Sequence, residues 1–390
     1  MSFTEPYMTE ERRMIRASAR AFTEREVTPI ANRLDPIQGD IPLELIEKIA
    51  EAGYFGILIP EEYGGLGLGV FEYCLIAEEL ARGWMSVASL LARGNSMPGT
   101  HLMSEAQRQE ILPQVASGRL LGALAMSEPD TGSDLSGIKC KAVLDGDEWV
   151  ITGQKYWCTF ADGADYLVVV ARTEPDMALR HRGLSAFRVD KPRGELPNGV
   201  SGSPIPKIGY FGWKTWDLSF DGCRIPEDAL IGKRGEGFYV ISKWLESARA
   251  HTAARALGLA SAALDEATAY AQTRVQFERP ISEFQAIRFK IAQMATEIAA
   301  ARHLTQHLCV TLDQGVRSDM EAGMAKLFAT EMAERVTSEA MQILGGAGYT
   351  TLFAVSRHWR DARLTKIFEG TSEIQLRIIS DNILGKEKGR

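Results

Sequence analysis

The stretch Phe368-Glu369-Gly370-Thr371-Ser372-Glu373-Ile374-Gln375 holds the most chemistry in the chain. Thr371 has the side chain and the place of an N-cap for a helix over Ser372–Leu384. Glu369 therefore stands just ahead of a helix start, beside Phe368 and Gly370. There it reads as a solvated acid favoured by the helix dipole. It reads equally as a general base in an apolar site, where desolvation raises its affinity for a proton. The dipole alone works the other way, so a base here requires burial or a bound ligand. Glu246 and Arg249, three apart at a helix start, read first as an ordinary i, i+3 ion pair. Arg274, in Arg274-Val275-Gln276-Phe277, reads as a cation at a helix C-terminus or as a phosphate clamp.

Three further motifs have a structural reading beside a chemical one. Gln342-Ile343-Leu344-Gly345-Gly346-Ala347-Gly348 follows a helical segment, not a strand, and opens no GxGxxG helix. A Rossmann fingerprint is therefore weakly supported. A left-handed helix C-cap is one reading. Bare backbone that lets a phosphate or adenine come close is another. Glu128-Pro129-Asp130-Thr131-Gly132-Ser133-Asp134 reads as a surface loop, or as a junction loop facing a ligand. Trp157-Cys158-Thr159 lies near the end of a strand pattern. Its indole reads as core, or as a shield for a flat ring system with Thr159 hydrogen-bonding to that ring.

The elements that must position these groups fall into three zones. Residues 8 to about 120 carry helical periodicity: 10–28, 42–52 and 71–82, with a loop at Pro60-Glu61-Glu62-Tyr63-Gly64-Gly65. From about 121 to 232, short strand patterns (139–144, 149–152, 166–171, 184–189 and 218–220) alternate with turns. This texture predicts a small antiparallel barrel or sandwich. Long helices return at 254–273, 285–312 and 319–344. The helical, β, helical order is not the βαβ alternation of a parallel nucleotide-binding sheet.

Composition narrows the function classes. The chain has 390 residues, 44 Lys plus Arg against 51 Asp plus Glu, and a net charge of −7. An acidic chain argues against nucleic-acid binding, which needs a basic face. No apolar run reaches membrane-span length. The first residues have no apolar signal region and carry Glu5, Glu10 and Glu11, unlike a transit peptide. The five cysteines, Cys74, Cys140, Cys158, Cys223 and Cys309, are scattered without CxxC spacing, so no disulfide framework and no metal site is expected. A cytoplasmic protein is the expectation.

Together and in this order, the motifs resemble the acyl-CoA dehydrogenase family over almost the whole chain. The resemblance runs from Ile59-Pro60-Glu61-Glu62-Tyr63-Gly64-Gly65 through Ser127-Glu128-Pro129, Gly132-Ser133-Asp134, Gly153-Gln154-Lys155-Tyr156-Trp157-Cys158-Thr159 and Arg274-Val275-Gln276-Phe277 to Phe284-Gln285, Gln342–Gly346 and Phe368-Glu369-Gly370-Thr371. It implies a mainly α fold with a central β domain: a helical N-terminal domain (1–120), a middle β-barrel domain (121–234) and a C-terminal four-helix bundle (235–390). It implies a homotetramer with one FAD per subunit. Leu124, Met126, Ser127, Trp157 and Thr159 would lie against the flavin, with Thr371 and Glu373 nearby. A neighbouring subunit would bring Arg274, Phe277, Gln285, Gln342, Gly345 and Gly346 to the pyrophosphate and adenine. Ser133, Glu246 and Arg249 match positions that contact the CoA part, Ser133 is also expected at the FAD, and Gly370 adjoins the substrate. Glu369 matches the base that takes the α-proton of an acyl-CoA thioester. The base of some relatives sits at the position of Ala248, which has no carboxylate. The implied product is a trans-2-enoyl-CoA, with electrons passed to an electron-transferring flavoprotein, in the degradation of fatty or other carboxylic acids.

The chain departs from the family pattern at several places. Phe211 stands where many relatives have Lys or Arg, and Trp213 and Trp216 add bulk. Arg255 stands where small or amide residues are usual, and Glu373 where Gln is frequent. Residues 84–97, which help shape the acyl pocket in relatives, are unfamiliar. Arg93 among them reads as a surface arginine or as a partner for a second carboxylate on the acyl group. The alternatives to dehydrogenation are oxidase, desulfinase or decarboxylating chemistry on the same scaffold, or a silent acyl-CoA-binding subunit.

Overall fold

The computed structural model describes residues 6–95 and 97–385. Six helices come first: α1 (Glu10–Phe22), α2 (Thr28–Leu34), α3 (Leu43–Glu51), α4 (Val70–Gly83), α5 (Met85–Asn95) and α6 (Glu105–Ala116). Thr9 caps α1 by accepting the Arg12 N–H at 3.2 Å. The helix expected over 10–28 is interrupted by a widened π-type turn at Thr23–Val27. Pro29 follows and has no N–H to continue the ladder, so the chain restarts as α2. α4 and α5 are buried along most of their length. A Cβ at Gly258 would fall 2.2 Å from the Glu78 carbonyl oxygen, so α4 crosses its neighbour at backbone contact. That close crossing carries α5, with Ser89 and Arg93, into the interior.

The middle of the chain forms one sheet from β1 (Gly122–Ala125), β2 (Lys141–Asp145), β3 (Glu148–Thr159), β4 (Tyr166–Arg172), β5 (Leu184–Asp190), β6 (Val200–Pro204), β7 (Thr215–Pro226) and β8 (Leu230–Ile231). Its order is β6-β7-β3-β2-β4-β5-β8, with β1 added in parallel on β4. The sequence pattern did not mark out β1, a four-residue run of small and apolar residues. β3 and β7 form a long antiparallel ribbon, with register shifts between Ile151 and Gly153 and between Lys155 and Cys158. The second shift bends the strand and re-aims Trp157.

The C-terminal part holds α7 (Gly237–Thr273), α8 (Gln285–Asp313), α9 (Asp319–Leu344), α10 (Val355–Thr365) and α11 (Ser372–Leu384). α7 begins well before residue 254. Phe238, Tyr239, Val240 and Ile241 are weak helix formers, and burial of Val240 and Ile241 against the β domain outweighs that propensity. Along α7, Ala250, Ala253, Ala254, Ala256, Ala260, Ala263, Ala267 and Ala271 are buried, and this small-residue face lets α4 and α9 pack closely. A ribbon of β9 (Val275–Gln276) and β10 (Arg279–Pro280) joins α7 to α8. Among the described residues, no helix is long and apolar enough to cross a membrane.

Candidate active site

Glu369 sits between α10 and α11 with φ +53, in the left-handed region, and Gly370 follows with φ +90. Left-handed backbone at a non-glycine residue costs about 1–3 kcal/mol and persists only where the surroundings hold it. Here they do. Gly370 O accepts from Lys326 Nζ at 2.7 Å and from Gln375 Nε2 at 2.9 Å. Thr371 caps α11 by accepting the Ile374 N–H at 3.3 Å. Lys326 is fully buried, and that burial pulls its ammonium down to about 8 despite the attraction of Glu369. The loop is thus fixed just after its strained residue.

The Glu369 carboxylate is not the lone desolvated acid of the sequence reading. Arg255 Nη2 donates to its Oε1 at 2.8 Å, and Thr252 donates to its Oε2. The rest of the Arg255 fork donates to Ser89 Oγ at 2.7 Å and to Thr252 Oγ1 at 2.9 Å. The Arg255 side chain is 1% exposed and that of Glu369 is 23% exposed. Burial works to discharge Arg255, but the Glu369 carboxylate together with Tyr210 and Tyr73 outweighs it, and the guanidinium holds its proton more tightly than usual. One side of the carboxylate is tied to α7, and the other faces a cavity. Arg93, Leu124, Tyr210, Trp244 and Arg255 line that cavity with Glu369.

The remaining assigned residues form two groups. Near the cavity, Met126 O accepts from Lys155 Nζ at 2.9 Å, and Ser127 O accepts the Tyr156 N–H at 2.8 Å. Lys155 is fully buried and also donates to Glu128 Oε1 at 2.9 Å. Glu128 accepts the N–H groups of Lys139 and Cys140 at 2.8 and 2.9 Å. The Glu128–Asp134 connection is therefore pinned at its base, while Ser133 is exposed at its tip. Trp157 has φ +65 and is 57% exposed, so it is not the core residue of the structural reading. Thr159 is half-buried beside Thr215, with the hydroxyl oxygens 3.0 Å apart. Glu373 is exposed in the first turn of α11, and its own backbone N–H and the Thr371 hydroxyl hold its carboxyl below the usual range.

Arg274, Phe277, Gln285, Gln342, Gly345 and Gly346 are all exposed, and none lines the cavity with Glu369. Arg274 caps α7 and Gln285 opens α8. Phe277 and Glu278 turn the β9–β10 ribbon with φ +51 and +65, and Phe277 is 87% exposed. Gly345 has φ +61 and ψ −138, which is not the left-handed cap of the first reading. A Cβ at Gly345 or Gly346 would meet nothing within 4 Å. These features fit FAD: an exposed indole on a re-aimed strand, bare glycine backbone open to approach, and an exposed arginine and aromatic on a rigid turn. Trp157 meets Tyr156 edge-on and Phe277 meets Phe284 edge-on, yet both remain more than half exposed.

Glu246 and Arg249 do not form the expected ion pair with each other. Arg249 Nη1 lies 3.9 Å from Asp319, and Glu246 Oε2 accepts the Ser318 N–H at 3.4 Å. Burial, followed by repulsion from Asp319, raises the Glu246 carboxyl. Arg93 is not a surface arginine, because its Nε is buried within the cavity wall. The sequence reading gave no role to Thr252, Lys326 or Gln375. Thr252 and Lys326 lie on helices far from Glu369 in sequence, and only the tertiary fold brings them there, whereas Gln375 reaches back five residues to Gly370 from the first turn of α11. Arg255 stood out as a departure, but its partner could not be read from spacing.

The chain matches three family models: "Acyl-CoA dehydrogenase, N-terminal domain" over residues 9–119, "Acyl-CoA dehydrogenase, middle domain" over 123–223 and "Acyl-CoA dehydrogenase, C-terminal domain" over 235–384. It is 40% identical over 385 residues to (2S)-methylsuccinyl-CoA dehydrogenase of Cereibacter sphaeroides, covering 97% of this chain and 70% of that protein. Its fold is similar to butyryl-CoA dehydrogenase from Megasphaera elsdenii, with TM-score 0.91, 33% identity and coverage of 98% and 100% of the two chains. It is also similar to a chain in a structure described as the electron transferring flavoprotein of Acidaminococcus fermentans, with TM-score 0.91, 37% identity and coverage of 99% and 100%.

Proposed function

Because this chain belongs to the acyl-CoA dehydrogenase family, and is an FAD-dependent oxidoreductase of that family, we propose that Glu369 is the base that takes the α-proton of its acyl-CoA substrate. The observation that carries this reading is a carboxylate fixed in strained backbone, tied on one side and open on the other to a cavity. The α-proton of a thioester is weakly acidic. Its removal requires a positioned base together with donors to the developing enolate oxygen. Arg255 and Thr252 set the direction of the Glu369 carboxylate, and Lys326 and Gln375 hold the Gly370 carbonyl. The Glu369 N–H is the protein's donor to the thioester carbonyl. Leu124, Tyr210 and Trp244 exclude water from the acyl chain. Bound FAD supplies the acceptor for the hydride that leaves the β-carbon, giving a trans-2-enoyl-CoA.

Met126, Ser127, Trp157, Thr159, Thr371 and Glu373 would border the flavin of their own subunit. Arg274, Phe277, Gln285, Gln342, Gly345 and Gly346 would serve the FAD of a neighbour in a homotetramer. Their exposure on the isolated subunit supports this reading. Ser133, Glu246, Arg249 and Gly370 would border the substrate and its CoA part. Likeness to the Acidaminococcus fermentans structure supports an electron-transferring flavoprotein as the acceptor.

The test is turnover of an acyl-CoA panel with an artificial electron acceptor, with enoyl-CoA measured by mass and oxygen uptake followed in parallel. Enoyl-CoA formed without oxygen uptake is the expected result. Oxygen consumption without an added acceptor, or loss of carbon dioxide with the product, would replace this reading with oxidase or decarboxylating chemistry.

A further inference from the structure

The cavity beside Glu369 contains a charge that the reaction does not use. Arg93, in the last turn of α5, lines it together with Arg255 and Glu369. Among the described residues Arg93 has no ion pair, and its buried Nε has no hydrogen-bond partner. Its guanidinium carbon lies 5.0 Å from the centre of the Trp213 ring and 5.9 Å from that of Phe160. Those aromatic faces soften the loss of water but supply no counter-charge. Arg255 is occupied, because its fork is taken by Ser89, Thr252 and Glu369. It also keeps Glu369 from serving as the partner of Arg93.

The charge balance of the wall follows directly. Arg93 and Arg255 are positive, Glu369 is negative, and the other lining residues are uncharged. The cavity therefore has one positive charge in excess, and an arginine does not shed its proton to relieve it. A purely apolar acyl chain entering this space would displace water from Arg93 and leave the cation buried and unpaired, which is costly. An acyl chain ending in a carboxylate would neutralise the wall and meet a planar fork suited to it.

We propose that the acyl pocket is built for a thioester with a second carboxylate on its acyl group, and that Arg93 binds that carboxylate. The proposal rests on the reading that this cavity holds the acyl chain. It names Arg93 as a substrate-binding residue and Arg255 as the residue that keeps the base apart from it. Distance from the thioester, and not only charge, would then select the substrate, since the carboxylate must reach Arg93 while the α-carbon lies at Glu369.

Binding without turnover tests the proposal separately from the chemistry. CoA thioethers have no thioester carbonyl and cannot be dehydrogenated. We would titrate the FAD-loaded protein calorimetrically with S-(3-carboxypropyl)-, S-(4-carboxybutyl)- and S-(5-carboxypentyl)-CoA, and with the three matching terminal amides. At one chain length or more, the carboxylate should bind roughly 10- to 100-fold more tightly than its amide, as for a charge-assisted hydrogen bond. Arg93→Gln should bring the pair to within about twofold, and Arg93→Lys should keep part of the preference. The wild-type ratio stands by itself if a variant fails to fold. Equal affinity of acid and amide at every length would overturn the carboxylate subsite and leave the dehydrogenase reading intact. Failure of all six thioethers to bind would overturn both.

Discussion

The pairing of Arg255 with Glu369 makes a quantitative prediction for a double-mutant cycle of Arg255→Gln and Glu369→Gln. The Nη2 to Oε1 distance is 2.8 Å, which puts the charge centres about 4 Å apart, worth ~4 kcal/mol at an effective dielectric of 20. Glu369 retains 23% exposure toward the cavity, and water there screens part of the attraction. A coupling of about 2–3 kcal/mol is expected, within the range such cycles report for neighbours. The two single changes should also differ. Glu369→Gln leaves a 1% exposed guanidinium without a counter-charge, whereas Arg255→Gln leaves a carboxylate that still has Thr252 and an open side. Glu369→Gln should therefore be the more destabilising. The assay is the thermal midpoint of the FAD-loaded protein, followed by circular dichroism for all four proteins. The double variant should lose clearly less than the sum of the two single losses. Additive losses, or a greater loss from Arg255→Gln, would refute the reasoning.

Three further predictions concern the cofactor and the loop that bears the base. Arg274→Ala should release FAD roughly 10-fold more readily on dilution, read by flavin fluorescence, because it removes a charge-assisted contact to phosphate; unchanged flavin content would count against that role. Gly346→Ala should leave the unfolding free energy of the apoprotein within about 0.5 kcal/mol, since a Cβ there meets nothing within 4 Å, yet lower FAD uptake; equal uptake would return the glycine turn to a purely structural role. Folded Lys326 gives up its proton near pH 8, but the unfolded chain keeps it to 10.5, so the unfolded state binds more protons between these values and stability gains with rising pH. Lys326→Met should lose that gain, about 3 kcal/mol against wild type from pH 8 to 10.5, and a pH-independent difference between the two would contradict the burial of this charge.

The helical, β, helical order was legible because periodicity is local: residues within α8 and α9 repeat at helical spacing whatever they later pack against. β1 was not legible, because four small and apolar residues carry no period and become a strand only by pairing with β4. The break in the first helix had a local cause in Pro29, but the turn that absorbs it also depends on packing against α4. Motif order placed Glu369 and the exposed turn residues in a known pattern. The partners of Glu369 were hidden for a different reason. Arg255 is 114 residues away in sequence, and Lys326 reaches Gly370 across 44. Neither spacing has meaning until α7 and α9 lie beside the loop. The same holds for Arg93, whose lack of a counter-charge is a property of the cavity and not of its own helix.

The most direct test of the central claim is an anaerobic comparison of wild type and Glu369→Gln, following flavin absorbance as an oxidisable acyl-CoA is added. Glutamine keeps the size of the side chain and an oxygen for Arg255 but cannot accept the α-proton. The wild-type flavin should bleach. The variant should retain its yellow colour while calorimetry still shows the acyl-CoA bound. Bleaching of the variant at the wild-type rate would show that another group takes the proton, and the assignment of Glu369 would fall.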